Sequence, residues 1–361
     1  IKKNNCLLSL VKLGIGNKVE SIPQIIDWNY IEKAAYKQGV SAIVLDGMEE
    51  LSKQNLLHGG REIGIPQKIK WINSVLNNYE KRYLGYKNSI ASLAHFYNSH
   101  NFKMMVLKGY IMSLYYPNPS HRPCGDIDIW LFGKYKEADA LLQKERGIKI
   151  DKSHHHHTVF DWEGNMVENH YDIVNIHTFR SNWELEKIFK NLAQDDSSPI
   201  EIAGEKIYSP SANFHALFLI RHSLSHFAST SINLRQLLDW GFFVKANTSK
   251  IDWDWLYRIF EKYKMTDFCN CLNAVCVNDL GFDSSIFPHL STNNKLTNRI
   301  LSDMLLPEFN EREPKGLIRR VIFKYRRWSA NSWKHRLCYR EGRLKTFFKS
   351  TIMHLRKPKS I

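Results

Sequence analysis

The sequence predicts a mixed α and β protein in which a short strand–helix–strand unit and a β-hairpin are set between N- and C-terminal helical regions. Three observations predict it. An apolar stripe at 3,4 spacing runs from Ile72 to Tyr97, short apolar runs broken by Gly and Pro begin at Phe102, and helical periods return after Pro210.

Each element has its own justification. Ile72, Leu76, Tyr79, Tyr83, Tyr86, Ile90, Leu93 and Tyr97 mark one face of a long helix, with Gly85 as the weak point inside it, so residues 1–100 read as helical. The similar words IDWNYI from Ile26 and IDWDWL from Ile251 each put an aspartate before an aromatic helix start, the pattern of an N-cap. FKMMVL reads as a buried strand, KGYIMSLYY as a helix opening on Gly109, and DIDIWL as a second strand. HHTVFDW and MVENHYDI flank the turn residues Glu163, Gly164 and Asn165, which makes them a hairpin. Four regions are expected: a helical region 1–100, an α/β core 101–208, a helical domain 209–310 and a basic, aromatic tail 311–361.

Composition narrows the class. With 361 residues, 43% of them hydrophobic and 12% aromatic, the chain is folded and of several parts rather than disordered. Apolar runs such as LFLI and WGFFV fall far short of the ~18 residues that a membrane-spanning helix needs. No basic N-terminal segment leads into an apolar run with a small-residue cleavage site, and a cytoplasmic location is the expectation. Of six cysteines only Cys269, Cys271 and Cys276 are close together, without paired CxxC spacing, so all six read as reduced and mostly buried.

Charge is concentrated at one end. Residues 311–361 hold 16 Lys plus Arg against 3 Asp plus Glu, while the first 310 hold 35 against 33. In the tail, basic residues alternate with Tyr325, Trp328, Trp333 and Tyr339, a composition suited to RNA or to an anionic membrane surface, which would make the protein peripheral there. A solvated helix packed by its apolar stripe is the plainer reading. Amphipathic helices with the aromatic side packed inward and the basic side outward are expected.

The stretch RPCGDIDIWL poses the chemical question. On a strand Asp126 and Asp128 project from one face while Ile127 and Ile129 face the core, and paired carboxylates repel unless a cation lies between them. Oxygen ligands suit Mg²⁺ when the substrate brings phosphates. Upstream, Lys108 and Gly109 stand where a strand runs into a helix, and a glycine there lets the backbone approach a phosphate.

The order VLKG, helix, YPNP, Arg122, GDIDIWL and VENH resembles the DNA polymerase beta-like nucleotidyltransferase superfamily, and within it a bacterial nucleotidyltransferase family with the pattern LKG, YP, R, GDIDL and E-x-H. LRQLLDWGFF and NSWKHRLCYR also resemble that family's C-terminal half. The resemblance implies an α+β fold with a polymerase-beta-like core, a small mixed sheet with flanking helices. It implies two Mg²⁺ ions held by Asp126, Asp128 and Glu168, with Asp172 as the runner-up for the third acid, aligning an NTP for attack on its α-phosphate. Lys108, Gly109, Arg122 and Gly125 would hold the nucleotide, Lys108 and Arg122 from surface-facing ends of their elements.

One departure matters. The superfamily has Gly-Ser or Gly-Gly after the first strand, whereas Tyr110 follows Gly109 here. Besides transfer of NMP to an unidentified hydroxyl or amine, an RNA-modifying, toxin-like transferase, a silent nucleotide-binding or adaptor protein, and a histidine-rich metallohydrolase therefore stay open. The run His154 to His157 reads as a solvated strand or loop, His222 and His226 as a polar helix face, and Arg235 with Asp239 as an intrahelical pair.

Overall fold

In a computed structural model, residues 2–177, 179–195, 197–344 and 346 are described; the end of the basic tail, 347–361, lies outside them. The chain divides into two compact units. One comprises the chain up to Lys81 with Tyr115–Pro123 and Leu219–Tyr339, the other Arg82–Leu114, Cys124–Phe218 and the chain from Arg340.

The second unit carries a six-stranded mixed sheet with flanking helices. Its strands are β1 (Met105–Val106), β2 (Ile127–Trp130), β3 (His157–Trp162), β4 (Asn165–His170), β5 (Ser198–Ile202) and β6 (Glu205–Ser209), in the order β3-β4-β2-β1-β6-β5. Parallel pairs β2/β4 and β1/β6 are joined by the antiparallel pair β1/β2. Met104 to Leu107, Ile127 and Ile129 are wholly buried, as their apolar runs predict. The β3–β4 hairpin turns on Glu163 and Gly164, both at positive φ, and a second hairpin, β5–β6, turns on Ala203 and Gly204 in the same way. Sequence reasoning missed the second hairpin. Its alternation PIEI–AG–EKIYS is the signal that was there.

The long stripe forms the helices Ile65–Val75 and Lys81–Ser99 with a π-helical turn, Leu76–Glu80, between them. Gly85 does not interrupt it, because Gly85 lies on an open face with nothing near its Cβ position. From Arg82 the stripe packs on the sheet through Tyr86, Ile90, Leu93 and Tyr97, all buried.

The other unit is helical. Asp27 and Asp252 cap their helices as expected, accepting from Tyr30 N at 3.1 Å and Trp255 N at 2.9 Å. All six cysteines are free and buried. Two buried ion pairs organise this unit. Lys334 Nζ meets Asp303 Oδ2 at 2.6 Å with both side chains fully buried, and Lys334 also donates to Thr230 O. Arg122, 6% exposed, makes a bidentate pair with Asp239, Nε to Oδ1 at 2.7 Å and Nη2 to Oδ2 at 2.8 Å, and Tyr116 donates to the same carboxylate at 2.8 Å.

Two expectations are corrected here. Arg122 is not at a surface-facing end; burial requires a countercharge, and Asp239 supplies it. Asp239 accordingly receives Arg122 rather than Arg235, one turn before it on the helix Leu234–Asn247. Arg122→Ala is expected to cost about 3–5 kcal/mol of stability because it leaves Asp239 buried and unpaired. The double variant Arg122→Ala/Asp239→Asn should lose less, and urea unfolding of both with unchanged m checks it.

Candidate active site

The β2/β4 register builds the site. Asp128 on β2 lies directly opposite Glu168 on parallel β4, Trp130 lies opposite His170, and antiparallel β3 brings His157 opposite His170. Period two then puts Asp128, Glu168, His170 and His157 on one face of the sheet. Thr158 and Asn169 fall on the other face, where both donate to buried Asp139.

Asp128 is 1% exposed, and two cations attend it. Lys108 Nζ is 3.0 Å from Asp128 Oδ1, and His170 Nε2 is 3.3 Å from the same oxygen and 3.5 Å from Glu168 Oε2. His170 Nδ1 donates to the Asp172 carbonyl at 3.2 Å. Burial alone would lower the pKa of this ring, but Asp128 and Glu168 more than offset that and raise it to about 9. Lys108 behaves alike, burial pulling its pKa down and Asp128, Asp126 and Glu168 carrying it above the ordinary value. Burial would raise the pKa of Glu168, yet the His170 hydrogen bond holds it below the usual carboxylate range.

Asp126 stands one residue before β2 and is half-buried; its charge acts on both Lys108 and Glu168. Its backbone is fixed by Tyr86, whose hydroxyl donates to Asp126 O at 2.9 Å. Gly109 makes room for that bond: it has φ +65°, and a Cβ there would collide with the Tyr86 hydroxyl. His215 Nε2 donates to Leu107 O at 2.9 Å, holding the strand end before Lys108, and burial lowers its pKa to about 4.

The structure thus brings Lys108, Asp128 and Glu168 together, with Asp126 and Gly109 beside them. Gly125 is exposed, with open space at its Cβ position. Asp172 is drawn elsewhere, paired with Lys190 at 2.9 Å, in a loop whose Ile173 and Val174 amides donate to Glu186. Tyr110 is buried and stacked on Tyr83 at 6.0 Å between ring centroids.

The histidine run is corrected from a solvated strand or loop: His155 and His157 are buried, and His157 opens β3 opposite His170. Burial and the neighbouring cations lower the pKa of His156 to about 2 and that of His157 to about 3. Sequence reasoning also missed Tyr86 and His215 as supports. The period-two offset of His157 within HHTVFDW was the available signal for the run; nothing local marks the other two.

A divalent cation fits this donor set. Ligand atoms of Asp128, Glu168 and His170 all lie within 4.8 Å of one another, and Asp128 Oδ2 is buried with no hydrogen-bond partner.

Residues 24–280 match the model of a protein family described as "Uncharacterised nucleotidyltransferase". No curated protein matches the chain. An antigenic nucleotidyltransferase-like protein from Paracoccidioides brasiliensis has a similar solved structure, 14% identical with a TM-score of 0.35, covering 56% of this chain and 95% of that one.

Gly109→Ala is expected to destabilise the protein by about 1–3 kcal/mol through its positive φ and the collision with Tyr86. Adding Tyr86→Phe removes the colliding hydroxyl and should recover part of the loss. Equal thermal unfolding of Gly109→Ala and the parent would show that the loop needs no glycine.

Proposed function

The chain belongs to the family of uncharacterised nucleotidyltransferases, and on that premise we propose that it moves an NMP group from an NTP to a hydroxyl or amine acceptor with the help of Mg²⁺, the α–β phosphoanhydride bond breaking to release pyrophosphate. The observation that carries this reading is the Asp128–Glu168 register, two acids on one sheet face with Lys108 at 3.0 Å from the first. Asp126, Asp128 and Glu168 would hold two Mg²⁺ ions, which when bound supply charge neutralisation for the triphosphate and ease deprotonation of the acceptor. Lys108 Nζ, partly exposed, binds a β- or γ-phosphate oxygen as a point charge. Gly109 takes the Tyr86 hydroxyl against its backbone, and Gly125 leaves the chain before Asp126 open to nucleotide. The carboxylate of Glu168, kept ionised, accepts the proton that leaves the acceptor. Arg122 serves the nucleotide only indirectly in this reading, since Asp239 occupies its guanidinium.

Incubation with each α-phosphate-labelled NTP, Mg²⁺ and a cell extract, followed by separation of small molecules, RNA and protein, tests it. Label should appear in one fraction, and Asp126→Asn or Asp128→Asn should reduce it by at least about 100-fold. NTP binding without transfer in any fraction would favour a silent binder.

A second proposal concerns the partner. Phe323 of the helix Leu317–Ala330 is buried against Phe309, but Ile318, Val321, Ile322 and Tyr325, the last expected to pack inward, are exposed by 54–76% at i, i+3, i+4 and i+7. Arg319, Arg320, Lys324 and Arg326 are exposed around them. An apolar stripe framed by cations suits an anionic lipid surface better than RNA, which needs no apolar stripe. The protein is expected to sediment with anionic vesicles and not with neutral ones, and Ile318→Ser/Ile322→Ser should weaken this. Salt-sensitive tRNA binding without vesicle binding would restore RNA as the partner.

A further inference from the structure

Three imidazoles have no part in the proposed transfer beyond the contact of His170 with the two acids. One ligand atom from each of His156, His157 and His170 lies within 4.8 Å of the other two. Ring centroids are 4.3 Å apart for His156 and His157, 5.2 Å for His157 and His170, and 5.5 Å for His156 and His170. The backbone enforces this approach. His157 and His170 are cross-strand partners, and the carbonyl of His156 accepts from Tyr171 N at 3.0 Å and Asp172 N at 3.1 Å, tying the residue before β3 to the end of β4.

His157 is only 6% exposed, and neither of its ring nitrogens is within hydrogen-bond distance of a partner, Nε2 lying 3.7 Å from Glu168 Oε1. His156 Nδ1 is likewise buried and unpartnered. Buried polar atoms are ordinarily satisfied, and a cation bound through one nitrogen of each ring would meet part of this demand. His170 Nδ1 donates to a backbone carbonyl, as in metal-ligating histidines, and an ion at Nε2 would take the place of the proton that faces Asp128 Oδ1 at 3.3 Å and Glu168 Oε2 at 3.5 Å. Imidazole donors select late first-row divalent ions over Mg²⁺, which prefers oxygen.

We infer that His156, His157 and His170 form a nitrogen-donor site for a late first-row divalent ion of the Zn²⁺ class, beside the oxygen-donor set of Asp126, Asp128 and Glu168. His170 adjoins both sets, and His157 Nε2 also lies 3.7 Å from Glu168 Oε1. The site stands on the hairpin register and holds whether or not nucleotidyl transfer is the reaction.

Co²⁺ is the probe, titrated into metal-free full-length protein and followed by its visible d–d absorption. One Co²⁺ per chain is expected, displaced by Zn²⁺ and not by excess Mg²⁺. His156→Ala and His157→Ala should each weaken binding by at least about tenfold, with thermal unfolding confirming that they remain folded. His154→Ala and Asp126→Asn should leave it unchanged. Ring-nitrogen NMR of the parent with Zn²⁺, in which the His156 and His157 resonances should move, reads the site without any substitution. No Co²⁺ binding, an equal loss in His154→Ala, or a loss confined to Asp126→Asn would overturn the inference; the last two would mean non-specific chelation by the run or an ion in the carboxylate set. Failure of label transfer with Co²⁺ binding intact would overturn the transferase reading alone.

Discussion

The sheet unit depends on one electrostatic constraint: Asp128, 1% exposed, lies directly across from Glu168 on a neighbouring parallel strand. Two carboxylates so placed repel, and burial raises the cost of each charge. Lys108 and His170 supply the compensation, and both are held above their ordinary pKa by it. The surrounding structure positions those two cations. β1 delivers Lys108 as Leu107 N donates to Asp128 O at 3.0 Å, and β4 delivers His170 two residues after Glu168, on the same face.

A comparison with the ion pairs of the helical unit separates structural charge from chemical charge. Arg122 with Asp239 and Lys334 with Asp303 are also buried, but there both oxygens of each carboxylate have donors: Asp239 accepts from Arg122 at both and from Tyr116, and Asp303 accepts from Lys334, Ser231 and the Glu308 amide. Such pairs hold a fold and leave nothing over. In the sheet unit Asp128 Oδ2, His156 Nδ1 and both His157 ring nitrogens are buried without hydrogen-bond partners. A folded protein tolerates that deficit where something else completes the set.

The supports of the site are equally physical. Tyr86 reaches from the helix Lys81–Ser99 to the Asp126 carbonyl, and Gly109 is required because that hydroxyl occupies the space of a side chain. His215, from the helix Ala212–Ser229, caps the end of the strand before Lys108. Tyr110, which follows Gly109, is buried and stacks on Tyr83.

Local pattern determined a good deal of this protein. The stripe from Tyr79 to Tyr97, the caps at Asp27 and Asp252, the strands at Met105 and Ile127 and the Glu163–Gly164 turn were legible because each depends on residues a few positions apart; in VENH period two puts Glu168 and His170 on one face of β4, whereas Asp126 of GDID falls one residue before β2. Tertiary structure alone decided the partners. Whether Arg122 would meet phosphate or Asp239, 117 residues away, whether Asp172 would join Glu168 or Lys190, and whether four histidines would be solvated or gathered against His170 all depended on strand register and burial. Those are long-range quantities: a charge finds its partner by the energy of being taken out of water, which no spacing along the chain encodes.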